Sequence, residues 1–472
     1  MQRIIALARF RRLQNKKYKN DYNSDDSTCV SDDNEQEISR DNVGSIIKNR
    51  YLILKYIGKG TFARVWLVYD LYEDKYYALK KQYAKCYEDG CYETKMIKMI
   101  GNDCEYLVNV KDIFTITERE DSFVCILCEL LGNDLFDFVK KYDYKLPLNL
   151  VKPIIRDTLI GLEYLHNKNI IHTDLKFENI LLTEIDDKIK KTIQWFKSLE
   201  PMEFIKNNSI IDNTIETYNK KRRLKKNLRI KAHKKLAKMV KQYSLKEFKT
   251  SQDTSEDTSQ DTSEDTSHDL LKNNSNIIEI SNDKELFMSN LDEQIKEVDF
   301  EKDLEFHTKL CDFGNCCTTD NHVISNIQTR YYRSPEVIIN DDYDTSSDIW
   351  SLGCLFYELI TGEYLFDVDY GKNEMDRNRK HIALMYEVLG KMPKDLSLTC
   401  KYSEHLFDAK GRVLKYKKDI NYTSLEKLIL EERKDISEKE LKIICDLLRQ
   451  MLAYNPNKRI SASECLKNAW FN

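Results

Sequence analysis

Two short runs of this sequence hold the residue types that phosphate chemistry needs. The first is Ile171-His172-Thr173-Asp174-Leu175-Lys176-Phe177-Glu178-Asn179, which sets a carboxylate, an ammonium and an amide close together. The second, Cys311-Asp312-Phe313-Gly314, adds another carboxylate. Phosphoryl transfer asks a protein mostly to position groups and to neutralise charge. On that chemistry Asp174 accepts the proton of an attacking hydroxyl and Lys176 steadies a γ-phosphate. Asn179 and Asp312 are then the metal ligands, holding Mg2+ against the phosphates.

Two upstream segments extend the set. Tyr77-Ala78-Leu79-Lys80 ends an apolar strand on a lysine able to reach the α- and β-phosphates of ATP, and Glu93 in YETKMIKMI is the carboxylate to hold it. Before it, Ile57-Gly58-Lys59-Gly60-Thr61-Phe62-Ala63-Arg64-Val65 reads as a tight turn between strands. Glycine there exposes backbone N–H groups to phosphate oxygens. Singly, each segment reads as well as a plain hairpin or a surface lysine. In order along one chain they reinforce one another. IQTRYYRSPE from Ile327 and SDIWSLGC from Ser347 then follow in sequence.

The elements that must position these residues are legible in outline. YLILKYIG, ARVWLVYD and KYYALKK read as short strands, and FVCILCELL as a strand buried on both faces. VKPIIRDTLIGLEYLHNKN reads as a helix with Ile154, Ile155, Leu159, Leu162 and Leu165 on one face. Charge is strongly segregated, so the net −4 says nothing about partners. Lys220 to Lys249 is densely basic and is followed by SQDTSEDTSQDTSEDTSHD, a repeat too polar to offset chain entropy. Residues 186–306 therefore read as a disordered insert, helical by tendency in its basic part. Asp174 and Asp312 lie 138 residues apart; without the 121 of that insert they are separated by 17, enough for two short strands and a turn.

Thirteen cysteines at irregular spacings show no zinc pattern, and reduced thiols are expected. No apolar run approaches a membrane span. Residues 1–48, basic and then Ser/Asp-rich, read as a disordered tail.

These segments resemble the eukaryotic protein kinases over residues 51–182 and 307–472, and within them the CMGC group. HTDLKFENILL, DFGN, IQTRYYRSPEV, GEYLF, HIALMYEVLGKMP and SASECLKNAWFN are most similar to the SR-protein kinases, which also carry a large charged insert. The resemblance implies an α+β, bilobal kinase fold with a small β-rich N-lobe and a large helical C-lobe, the insert interrupting the latter. Residues 51–185 and 307–472 would be its two parts. It implies a serine/threonine kinase using ATP and Mg2+, with protein substrates, no membrane, no requirement for nucleic acid, and a monomeric state. A dual-specificity relative and a pseudokinase scaffold are the alternatives.

Role by role, the resemblance implies that Asp348 braces the catalytic loop, that Glu336 pairs with Arg459, and that Thr329 touches Asp174. Cys128 takes the gatekeeper position, and the backbones of Glu129 and Leu131 meet adenine. Thr173 stands where most kinases place Arg, the receptor for an activation-loop phosphate, so an active state without phosphorylation is expected. Asn326 stands where tyrosine-regulated relatives carry Tyr. Arg/Ser-rich substrates are implied; that subfamily docks them on acidic residues, and Glu374 and Asp376 are acidic here, but the basic run Arg377-Asn378-Arg379-Lys380 follows at once. The basic block reads equally as a nuclear-localisation or nucleic-acid patch and as a solvated spacer. A cytoplasmic or nuclear location is expected.

Overall fold

The computed structural model describes residues 42–60, 62–211, 218–256, 307–322, 326–339, 342–368, 371–416 and 422–471. The chain divides into two compact units, residues 1–79 with 191–251 and residues 80–190 with 252–472.

In the first unit β1 (Ile46–Ile47), β2 (Tyr51–Lys59), β3 (Ala63–Asp70) and β4 (Lys75–Gln82) lie side by side in that order. The division between units falls inside β4, after Leu79. The three strands expected from β-branched and aromatic residues are all present. The folded region starts earlier than Tyr51, however. Ile46 and Ile47 pair with Leu52 and Tyr51, and Val43 is buried, so the end of the expected tail belongs to the sheet. The rest of that tail lies outside the described residues.

The second unit opens with α1 (Tyr87–Ile100), followed by the hairpin β5 (Val110–Glu118) and β6 (Asp121–Glu129). Next come α2 (Leu135–Lys140) and α3 (Leu148–His166), whose five expected core residues are all buried. The short strands β7 (Ile170–Ile171) and β8 (Ile180–Leu182) bracket the Asp174 run.

The charged insertion departs from expectation in its packing, although its basic part is helical as expected. It carries α4 (Asp187–Lys197), α5 (Pro201–Asn207) and the long α6 (Tyr218–Glu256). These helices pack within the first unit. Phe196 is fully buried with its ring 4.9 Å from Tyr69, and Trp195 stacks on Tyr243 at 3.7 Å. Lys55 Nζ donates to Thr192 Oγ1 at 3.1 Å, and Arg229 lies 4.3 Å over the Tyr72 ring. Ala232, Leu236 and Val240 recur every four residues and are all buried. One apolar residue per turn is enough to seat a helix, and a dense basic background hides so sparse a stripe. Gly44 comes against this stripe: its φ is +84°, and a Cβ there would lie 2.7 Å from the Ala237 carbonyl oxygen. The acidic repeat falls almost wholly outside the described residues.

Beyond the insertion, β9 (Thr308–Leu310) pairs antiparallel with β8, Ile180 opposite Leu310, and β10 (Cys317–Thr318) pairs with β7. The two short strands that the residue subtraction suggested are thus β8 and β9, with the insertion between them. Helices follow: α7 (Pro335–Ile339), α8 (Ser346–Thr361), α9 (Glu374–Leu389), α10 (Lys394–Ser397), α11 (Ser403–Leu406), α12 (Leu425–Glu432), α13 (Glu438–Met451) and α14 (Ala462–Leu466). Residues 347–361 of α8 are all buried, which makes it the central helix of this unit's core. The described cysteines are all free thiols. No described helix is long and apolar enough to cross a membrane.

Candidate active site

The loop from β7 to β8 carries Asp174, and its shape is set from below. Asp348, near the start of α8 and buried, accepts N–H bonds from His172 at 2.8 Å and Thr173 at 2.9 Å, and a bond from the His166 ring at 2.9 Å. Those bonds hold Thr173 at φ +70°, a left-handed conformation costly for a β-branched residue. Asp348 therefore braces the loop, as the resemblance implies.

Three side chains converge on Asp174. Lys176 Nζ donates to Oδ2 at 2.8 Å, Thr329 Oγ1 donates to Oδ1 at 2.9 Å, and Asn179 Nδ2 reaches the Asp174 carbonyl at 2.7 Å and Oδ2 at 3.3 Å. Asp174 and Lys176 keep side-chain exposures of 14% and 19%, so an incoming hydroxyl can reach the carboxylate. Asp174, Lys176 and Asn179 are thus brought together.

Lys80 lies between two carboxylates, 2.7 Å from Glu93 Oε1 and 2.8 Å from Asp312 Oδ1. Burial works against its charge, but Asp312 and Glu93 outweigh burial and raise its pKa above the usual lysine value. Burial likewise opposes ionisation of Asp312, yet Lys80 holds its carboxyl below the ordinary range. Glu93 moves the other way: burial, with Asp312 beside it, raises its carboxyl against the pull of Lys80. Gln82 Nε2 donates to the second Glu93 oxygen at 2.5 Å. Asp312, at φ +64°, turns off the end of β9, where the Cys311 N–H bonds the Asn179 carbonyl at 3.0 Å. That bond ties Asn179 to the residue that precedes Asp312.

The phosphate hairpin belongs to the first unit. Neither Gly58 nor Gly60 has positive φ, and a Cβ on either would meet nothing nearer than 3.8 Å. The turn itself does not require glycine there, so the bare backbone leaves room for phosphate oxygens. Lys59 and Phe62 are exposed at the tip, Ala63 is buried at the start of β3, Ile57, Arg64 and Val65 are half-buried, and Thr61 lies outside the described residues. Among the described residues no cluster of three or more His, Cys, Asp or Glu could hold a metal alone. Mg2+ takes one or two carboxylates and completes its shell with phosphate and water, so the oxygen donors of Asp312 and Asn179 suit it.

At the end of β6, burial pushes the Cys128 thiol up to about 12, so it stays neutral at physiological pH. The Glu129 N–H bonds the Asn109 carbonyl at 2.9 Å, and Lys309 pairs with its carboxylate at 2.9 Å; Leu131 is buried.

The segment after Asp312 is ordered by neutral and internal bonds. Thr173 Oγ1, standing where most kinases place Arg, donates to the Asn315 carbonyl at 2.8 Å, and the Tyr92 hydroxyl donates to the Cys316 carbonyl at 2.8 Å. Glu336 and Arg459 form the implied pair, two parallel bonds of 2.7 and 2.8 Å with both side chains buried. Sequence reasoning missed Gln328 as a hub. Held at φ +68°, it donates to the Ser347 carbonyl and Ser351 Oγ and accepts from Ser334, while its own carbonyl accepts from Arg333. It also missed a buried basic cluster. Arg330 bonds Asn378 at 2.7 Å and the exposed Glu374 at 3.0 Å, leaving its Nε and one terminal nitrogen without partners. Burial and the neighbouring Arg333 push Arg330 down to about 9, and buried His381, beside them, has no partner on either ring nitrogen. IQTRYYRSPE was visible as a motif, but nothing in it announced that Arg330 would be desolvated.

The protein kinase domain family model matches residues 51–192 and 297–471. A putative serine/threonine-protein kinase, L205, of Acanthamoeba polyphaga mimivirus is 30% identical over 96% of this chain and 92% of its own length. Human SRSF protein kinase 3 is 28% identical over 94% of this chain and 91% of its own. Protein kinase dsk1 of Schizosaccharomyces pombe is 30% identical over 89% of this chain and 80% of its own.

Proposed function

This chain belongs to the protein kinase family, in its SR-protein-kinase-like branch, and from that premise we propose which residues carry its chemistry. It is an ATP-dependent serine/threonine kinase, and its family uses ATP and Mg2+. In our reading Asp174 is the base that takes the proton of the acceptor hydroxyl. Thr329 orients that carboxylate through Oδ1, and Lys176 stands at Oδ2 ready to steady the transferred phosphoryl group. Lys80, steadied by Glu93, binds the α- and β-phosphates. Gly58, Gly60 and the backbone of their hairpin cradle phosphate oxygens, and the Glu129 and Leu131 backbones receive adenine. Asp312 and Asn179 would hold Mg2+, which would supply charge neutralisation on the phosphates.

The observation that carries this reading is the convergence of Lys176, Asn179 and Thr329 on one partly exposed carboxylate. Asp174→Asn should lower the transfer rate by about 10²–10⁴-fold. Binding of a fluorescent ATP analogue should stay near wild type, because the nucleotide contacts remain. A variant keeping more than about a tenth of the rate would refute the role of Asp174 as base.

For substrates, kinship with an SRSF protein kinase supports Arg/Ser-rich acceptors. Arg377, Arg379 and Lys380 at the start of α9 weigh against docking an Arg-rich segment there. The desolvated Arg330 and Arg333, with the one carboxylate of Glu374 beside them, favour an acidic or phosphorylated residue close to the acceptor. A peptide array comparing Arg/Ser, acidic and phosphorylated neighbours tests the choice. The same reading makes the enzyme a cytoplasmic or nuclear monomer, its free thiols suiting a reducing compartment.

A further inference from the structure

The basic block of the insertion has no part in that chemistry. Residues 218–246 of α6 hold thirteen Lys and Arg and no Asp or Glu. The helix is seated by its middle and later turns, through Ala232, His233, Leu236 and Val240 and the Trp195–Tyr243 stack. From Tyr218 to Ile230 no side chain is buried, and Arg229 near its end lies over the Tyr72 ring. This free stretch carries Lys220, Lys221, Arg222, Arg223, Lys225 and Lys226, and among the described residues no carboxylate pairs with any of them. Like charges three and four residues apart cost a helix about 0.2–0.5 kcal/mol per pair. An anchored helix bearing such a run is relieved by a polyanion.

Its geometry selects which polyanion. Six cations in seven residues occupy roughly 10 Å of helix axis, a linear charge density close to the one phosphate per about 1.7 Å of duplex nucleic acid. A membrane surface would instead require an apolar stripe beside the cations. The exposed apolar residues of this stretch, Tyr218, Leu224 and Ile230, fall about 120° apart around the axis and make no stripe.

We propose that the exposed N-terminal third of α6, Tyr218–Ile230, is a docking site for the phosphate backbone of nucleic acid, independent of base sequence. Fluorescence anisotropy of the full chain with a labelled 20-nucleotide RNA and a 20-base-pair DNA duplex tests this. Phosphatidylserine vesicles provide the third arm. With about five phosphates engaged, affinity should fall roughly 500-fold for duplex and 100-fold for single strand between 50 and 200 mM salt. Replacing Lys220, Lys221, Arg222, Arg223, Lys225 and Lys226 by Gln, a good helix former, should abolish binding at 100 mM salt while peptide phosphorylation and thermal unfolding stay unchanged. Exchanging Lys for Arg and Arg for Lys at the same six positions should keep it. The preferred strand form identifies the source as RNA or DNA. No binding at 50 mM salt, full binding by the Gln variant, loss of binding in the exchange variant, or vesicles bound as tightly as nucleic acid would each overturn the proposal. So would binding that appears only after residues 252–268 are deleted, since the acidic repeat would then be the occupant.

Discussion

The packing of α4 against the first unit makes Phe196→Ala the sharpest test of the insertion's role. Phe196 is fully buried, with its ring 4.9 Å from Tyr69 and 6.4 Å from Tyr76. Removing a buried Phe side chain costs about 3–5 kcal/mol through lost transfer energy and the cavity left behind. Each aromatic pair contributes about 0.5–1.5 kcal/mol beyond its buried area. Partial collapse of the site should relieve some of this, and about 3 kcal/mol is expected. Two compact units make one global unfolding energy ill-defined, so the loss should be read by hydrogen exchange of the β2 and β3 amides. Their protection should fall roughly 150-fold, the equivalent of 3 kcal/mol. Leu245→Ala, at a side chain 53% exposed on α6, should change it less than about threefold. A Phe196→Ala effect below about fivefold would show that the insertion only rests on the sheet. Deleting residues 190–300, harmless if the insertion were a plain spacer, should for the same reason expose β3 and lower the thermal stability of the first unit.

Three further outcomes follow from the site. Enzyme made in bacteria and stripped by phosphatase should keep its rate, because Thr173 and Tyr92 hold the segment after Asp312 through backbone carbonyls; a tenfold loss restored by ATP would refute this. With small Cys128 as gatekeeper, N6-substituted ATP analogues should be used better by wild type than by Cys128→Phe, and equal discrimination would refute the assignment. Burial raises Glu358 to about 8, against an ordinary carboxyl value near 4.5 in the unfolded chain. The folded state therefore binds the extra proton, and stability falls as pH rises from about 5 to 8. Glu358→Gln should remove that slope in urea unfolding of the second unit, and an unchanged slope would exclude Glu358 as its source.

What could be read from the sequence was what is local. Asp174, Lys176 and Asn179 fall within six residues of one loop, so their types and spacing already pointed to the chemistry proposed for them. The strands and α3 were equally visible, because alternation and a four-residue stripe are properties of the chain itself. The partners of that loop were named only through resemblance, because Asp348, Thr329 and Arg459 are distant in sequence and their contacts depend on how the helices pack.

The tertiary structure alone decided the rest. The basic block of α6 has the mean polarity of a solvated spacer, and averaging hides the fact that three small or apolar residues suffice to seat it. Gln328 and Arg330 are ordinary polar residues in a motif until α8 and α9 close over them and withdraw water. Desolvation is a property of what surrounds a side chain. The chain's order of residues names the groups that do chemistry; folding chooses which of the others lose their water, and so which become structure.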